Sequence, residues 1–146
     1  MKLQIVVPAL ILFLINGVYA QKQNGKEKIG SVGGYDMGQV DCVKQDNLYL
    51  ISYENQNDLQ VNDYDDFSIK DDDFEEVYKT LIRGFEEKQK TEIHIPTTLN
   101  YVELEYTKLL GKMMVRFTQS NKKGALGVSF SAWYSQKEIK KLFGKQ

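Results

Sequence analysis

Cysteine, histidine and proline are scarce in this chain, and the shortages remove whole classes of architecture and chemistry. Cys42 is the only cysteine among 146 residues. No disulfide can form within the chain, which excludes a cysteine-stapled secreted scaffold. Its setting, Val40-Asp41-Cys42-Val43, alternates as a strand does and puts Cys42 on the face of Val40. That is the pattern of a buried, inert thiol, with intermolecular pairing as the alternative. His94 is the only histidine, and one His with one Cys cannot make the His/Cys ligand set of a zinc site. A Ser-His-Asp triad would depend on His94, yet no serine stands in a G-x-S-x-G context. Gly30, Gly33, Gly34 and Gly38 fit neither G-x-G-x-x-G nor the Walker spacing, so no nucleotide loop and no cofactor is expected. No Asn-x-Ser/Thr sequon occurs. With the missing disulfides, this fits a bacterial periplasm or secretome better than a eukaryotic secretory route.

Long apolar runs are missing as well, with one exception at the start. Leu3 to Ile15 is almost wholly apolar, broken by Gln4 and Pro8, and follows the single charge of Lys2. Asn16-Gly17 ends that run, and Val18-Tyr19-Ala20 precedes Gln21. A basic start, an apolar stretch and a small residue at the cut make a secretory signal over 1–20, cleaved after Ala20. The run falls short of the ~20 residues a spanning helix needs, and no later segment is as apolar, so no membrane contact is expected once the signal is gone. A periplasmic or secreted soluble protein follows, with 21–38 as a flexible, glycine-rich lead-in and 39–146 as a single domain. Nine Tyr, seven Phe and a hydrophobic content of 42% suit a folded domain.

The formal net charge of −1 conceals an asymmetry. Residues 36–76 carry thirteen acids against two lysines, a local net of −11, and residues 106–146 carry nine bases against Glu138, a local net of +8. Such runs serve as solvated faces; they also suit a charged protein partner or self-association. The basic region has no nucleic-acid motif, and no nucleic-acid partner is expected.

Alternation predicts strands at Gln39–Lys44 and Leu48–Tyr53 around a turn at 45–47, with apolar residues on both faces of the second, which makes it central. A polar loop covers Glu54–Asp66, and a short extended piece Phe67–Ile69. Phe74, Val77, Tyr78, Leu81, Ile82 and Phe85 recur at helical spacing and predict a helix from about Asp72 to Lys88. Asp72 with Glu75, or Asp73 with Glu76, suits a capping box at its start, with Lys88 and Lys90 at its end. Strands follow at Thr91–Ile95, Tyr101–Tyr106, Lys112–Thr118 and Ala125–Trp133, the last two joined by a turn at 120–124. Ser135 with Glu138 makes a capping box for a short helix that turns Ile139, Leu142 and Phe143 inward and Lys137, Lys140 and Lys141 outward. The fold class is α+β: an antiparallel sheet of five to six strands, with the long amphipathic helix and the short C-terminal helix on one face.

Three constellations bear on function. An EF-hand loop counted from Asp63 needs Gly at its sixth position and Glu at its twelfth; Ser68 and Phe74 stand there, which leaves only a looser calcium site on Asp63, Asp65 and Asp66. Glu92 and His94 share a strand face, as a two-ligand metal corner, as an acid–base pair or simply as exposed residues. Glu103 and Glu105 share another face with Tyr101, where Lys112 or Arg116 sits across from them. Residues two apart on a strand are ~6.5–7 Å apart, a separation compatible with paired-carboxylate glycoside hydrolysis and equally with an ordinary solvent-facing strand. No catalytic or metal residue is assigned. The expected function is a non-catalytic exported binding or interaction module, the alternative being a small carboxylate-dependent hydrolase outside the cytoplasm. Carboxylates converging on a cavity would favour the enzyme, and a flat or charged face the binding module.

Overall fold

A computed structural model of the chain describes residues 25–33, 38–57, 63–87, 92–98, 101–120 and 129–146. The signal at 1–20, Lys88 and Lys90, and the turn over 121–124 lie outside the described residues, as does the Ala125–Val128 part of the last expected strand. The class is α+β with antiparallel pairing throughout the described strands.

The single sheet of the sequence reading becomes two. β1 (Lys26–Val32), β2 (Val40–Gln45), β3 (Leu48–Glu54) and β4 (Tyr64–Lys70) form one sheet in that order. After α1 (Asp71–Glu87), a second sheet runs β5 (Glu92–Ile95), β6 (Tyr101–Leu109), β7 (Lys112–Ser120) and β8 (Ser129–Phe130), with β9 (Tyr134–Ser135) also on β7. α2 (Gln136–Leu142) closes the chain. Alternation settles which side chains point inward but not which strands share a ladder, and that is why one sheet was expected.

The inward faces of both sheets meet in one aromatic-rich core. Ile51, Tyr53, Phe67 and Ile69 from the first sheet lie with Leu104, Tyr106, Val115 and Phe117 from the second, all buried. Phe117 is the junction: its ring centroid is 5.4 Å from Phe67, 6.2 Å from Tyr53 and 6.2 Å from Tyr134. Buried tyrosines need partners for their hydroxyls. Tyr53 shares a 2.8 Å bond with Ser129 Oγ, Tyr106 donates to the Leu81 carbonyl at 2.8 Å, and Tyr134 to the Gly38 carbonyl at 3.3 Å. Outside the core, the edges are sewn together by Thr98 N–H donating to the Ser68 carbonyl at 3.1 Å and Gln56 N–H to the Phe130 carbonyl at 2.8 Å.

α1 bridges the sheets. Phe74 near its start stacks on Tyr49 of β3 at 3.6 Å, and Phe85 near its end meets the Tyr106 ring of β6 edge-on at 5.3 Å. The helix begins at Asp71, whose N–H donates to the Asn47 carbonyl at 2.8 Å. Asp72 and Asp73 therefore lie inside the first turn rather than at the cap, so the capping boxes read on them do not form; their charge still sits at the positive end of the helix dipole. At α2 the expected box is present: Ser135 N–H donates to Glu138 Oε2 at 2.7 Å, and Glu138 N–H to Ser135 Oγ at 3.4 Å.

The lead-in reading of 21–38 is corrected over Lys26–Val32, which is a full edge strand paired with β2. Only Val32 is buried in that strand, so its own sequence shows no apolar period. Its place is set from outside: a Cβ on Gly30 would stand 2.3 Å from the Lys141 carbonyl oxygen, so α2 lies directly on this glycine. The polar loop read over 54–66 likewise ends at Tyr64, where β4 begins, four of its seven residues polar or charged as an edge strand permits.

Candidate functional site

The outward face of the second sheet gathers the polar side chains singled out in the sequence. Val102, Leu104 and Tyr106 are buried, so Glu103 and Glu105 of β6 point the other way, with exposed Tyr101. Register places Glu92, Glu105 and Arg116 in one cross-strand row, and His94, Glu103, Thr118 and Phe130 in the next. Of the two cations considered opposite the carboxylates, Arg116 takes the place across from Glu105; Lys112 pairs with Leu109 near the end of the ladder.

Arg116 is the centre of this face. Its Nε and Nη2 lie 2.8 Å and 2.7 Å from Glu105 Oε2. Its guanidinium carbon stands 4.5 Å from the Phe130 ring centroid and 4.7 Å from that of Trp133. A planar cation between a carboxylate and two rings is held in one orientation, since the guanidinium stacks as well as hydrogen-bonds. Both partners of the ion pair are more than three-quarters shielded from solvent, so the pair is stronger than a surface one. Alternation made Glu105 and Arg116 legible. The aromatic bracket was not, because Trp133 lies in the irregular stretch between β8 and β9, where a strand through 133 was expected.

Around that centre, His94 Nδ1 lies 3.5 Å from Glu103 Oε1, with the imidazole 59% exposed on edge strand β5. Thr118, opposite Glu103 in register, has a buried hydroxyl with no hydrogen-bond partner among the described residues. Each carboxylate thus faces a basic group of its own, Glu103 the His94 imidazole and Glu105 the Arg116 guanidinium. The side chain of Glu92 is not among those described.

The looser calcium site does not assemble. Asp65 and Asp66 are neighbours on β4, opposite Tyr53 and Ser52 respectively, and adjacent strand residues point to opposite faces. Asp63 lies where its carbonyl accepts from Asn55 N–H at 2.8 Å. Among the described residues no three His, Cys, Asp or Glu side chains are grouped to hold a metal ion. Cys42 is buried, and burial pushes its thiol up to about 12, so it is a packed side chain rather than a nucleophile.

The acidic and basic regions are not fully separate surfaces. Lys145 of the basic region bonds Glu75 of α1 in the acidic one and stands 5.3 Å over the Tyr78 ring, while within the acidic region Lys44 lies 2.9 Å from Asp71. Lys137 and Lys141 are exposed and Lys140 half-buried. No helix among the described residues is long and apolar enough to cross a membrane. No protein family, no curated protein and no solved structure matches the chain, so the reading of its function rests on these side chains alone.

Proposed function

We propose that this chain is an exported, non-catalytic interaction module, cleaved after Ala20 and acting in the periplasm or outside the cell. It binds a charged protein partner, or a second copy of itself, through the outward face of β5–β7. The observation that supports this most is Arg116, fixed by Glu105 between Phe130 and Trp133. Arg and Trp are the residues that most often anchor protein interfaces, because they offer large, rigid contact area with directed polar groups. The same ion pair speaks against the hydrolase, because it turns one of the two carboxylates onto the Arg116 guanidinium, where it is engaged as a structural partner.

Two measurements test the proposal. N-terminal sequencing of the exported product should begin at Gln21, and a retained Met1 would remove the export half. Sedimentation velocity and pull-down across a salt series should show an association that weakens as salt rises. Trp133→Ala with Arg116→Ala should abolish it while far-UV circular dichroism is unchanged. Equal association by wild type and double variant would remove the sheet-face half.

A further inference from the structure

The tip of the β6–β7 hairpin is built against the usual chemistry of turns. Leu109 pairs with Lys112 across the ladder, leaving Leu110-Gly111 as a two-residue loop. Both loop residues have positive φ, 48° at Leu110 and 83° at Gly111. This is the primed turn whose first position belongs to Asn, Asp or Gly, since a side chain with a bulky Cβ crowds the backbone there. The β2–β3 hairpin follows that rule, with Asp46 at φ 54°. Leu110 does not, and it gains nothing from packing: it is 104% exposed, beside Leu109 at 39%. A strained leucine in open water serves neither turn, core nor solubility.

The surroundings indicate what it meets. Lys108, Leu109, Leu110, Gly111 and Lys112 are all exposed, and a Cβ on Gly111 would touch nothing within 4 Å. The tip is convex and stands clear of the body. From Tyr106, fully buried, to the tip is roughly 10 Å of strand at about 3.3 Å per residue. The headgroup layer of one leaflet is only about 5–7 Å deep, so the leucines can cross it while the sheets stay in water. Lys108 and Lys112 bracket the leucines, and neither has an ion-pair partner among the described residues. Apolar tip and flanking cations match the two layers of an anionic bilayer surface, acyl margin and phosphate headgroups.

We infer that the Lys108–Lys112 hairpin tip is a surface anchor for anionic lipid bilayers, Leu109 and Leu110 entering the acyl margin while Lys108 and Lys112 hold the headgroups. Such contact needs no spanning helix, and it replaces the sequence-based expectation that the chain meets no membrane once the signal is gone. It is independent of the interface proposed on the sheet face, and its test reads the tip alone.

The test puts a reporter at the tip of the full chain. Leu110→Trp adds an indole beside a single native one, Trp133, whose signal in wild type is subtracted. Vesicles of phosphatidylglycerol with phosphatidylcholine should shift the added emission to the blue, and phosphatidylcholine alone should not. Replacing Lys108 and Lys112 by Gln in that background should weaken the apparent affinity roughly thirtyfold, about fivefold per lysine. Leu109→Trp, on ordinary extended backbone, repeats the reading if the first variant disturbs the turn. A shift on neither vesicle, or an equal shift on both, overturns the inference; the first result would leave a protein pocket as the tip's occupant.

Discussion

Asp46 and Leu110 each stand first in a two-residue hairpin loop with positive φ, 54° and 48°, although only the β6–β7 loop keeps positive φ at its second residue, Gly111. Only the first was legible as a turn residue, because Asp bonds locally and tolerates positive φ, whereas Lys-Leu-Leu-Gly-Lys reads as the ragged end of two strands. The signal that was present is the glycine two residues before the alternation resumes, flanked by lysines. Leu110→Asn should therefore stabilise the fold by about 1 kcal/mol, by relieving the left-handed strain of a leucine. It should do so although it removes an apolar side chain, since that side chain buries nothing. Urea unfolding measures the change, and a loss of stability would mean that Leu110 has a packing role in the free protein. Arg116 is the contrasting case. Alternation put Glu105 on its face and offered Lys112 or Arg116 across from it, register chose Arg116, and its two rings come from a stretch where chain direction, not period, decides the contact.

At the scale of elements, α1 was the most legible piece, because a 3.6-residue apolar period needs no knowledge of the rest of the chain. Phe74, Val77, Leu81 and Phe85 are buried as that period requires, with Tyr78 and Ile82 at the margins of the stripe. One member of the buried face carries no hydrophobic signal at all: Gly84. Gly84→Ala would ordinarily gain about 1 kcal/mol in a helix interior. Here the added Cβ would stand 2.2 Å from Tyr106 Cζ and 2.5 Å from its hydroxyl oxygen. That ring cannot swing aside without losing its bond to the Leu81 carbonyl and its edge contact with Phe85. The variant should lose about 1–3 kcal/mol, the usual cost of overpacking. A gain in the thermal midpoint would show that Tyr106 relaxes more freely than its contacts suggest. β1 is the opposite of α1: a charged, glycine-containing segment whose strand character comes from β2 beside it and α2 above it.

At the scale of the whole molecule, the division into two sheets escaped the sequence because it is decided by side chains far apart in the chain. Phe67 and Phe117, fifty positions apart, touch at the centre, and no local pattern encodes that pairing. The core they organise holds one thiol and three phenols away from water, and this fixes how the fold responds to alkali. Burial pushes Cys42 from an ordinary 9.0 up to about 12, and pushes Tyr53, Tyr106 and Tyr134 well above the ordinary phenol value of 10.0. In the unfolded chain these groups release their protons near their ordinary values; in the folded chain they keep them. From about pH 9 upward the unfolded state therefore binds fewer protons than the folded one, so stability falls as pH rises, by up to ~1.4 kcal/mol per pH unit for each group in transition. Stability measured in urea should consequently show no contribution from these four groups below pH 9 and drop with increasing slope above it. Cys42 titrates first, so Cys42→Ala, whatever it costs at neutral pH, should delay the onset of that drop toward pH 10. The phenolate absorbance of the buried tyrosines should appear together with unfolding rather than ahead of it. Phenolate formation by Tyr53, Tyr106 and Tyr134 in a chain that still shows native circular dichroism would mean that water reaches the space between the sheets.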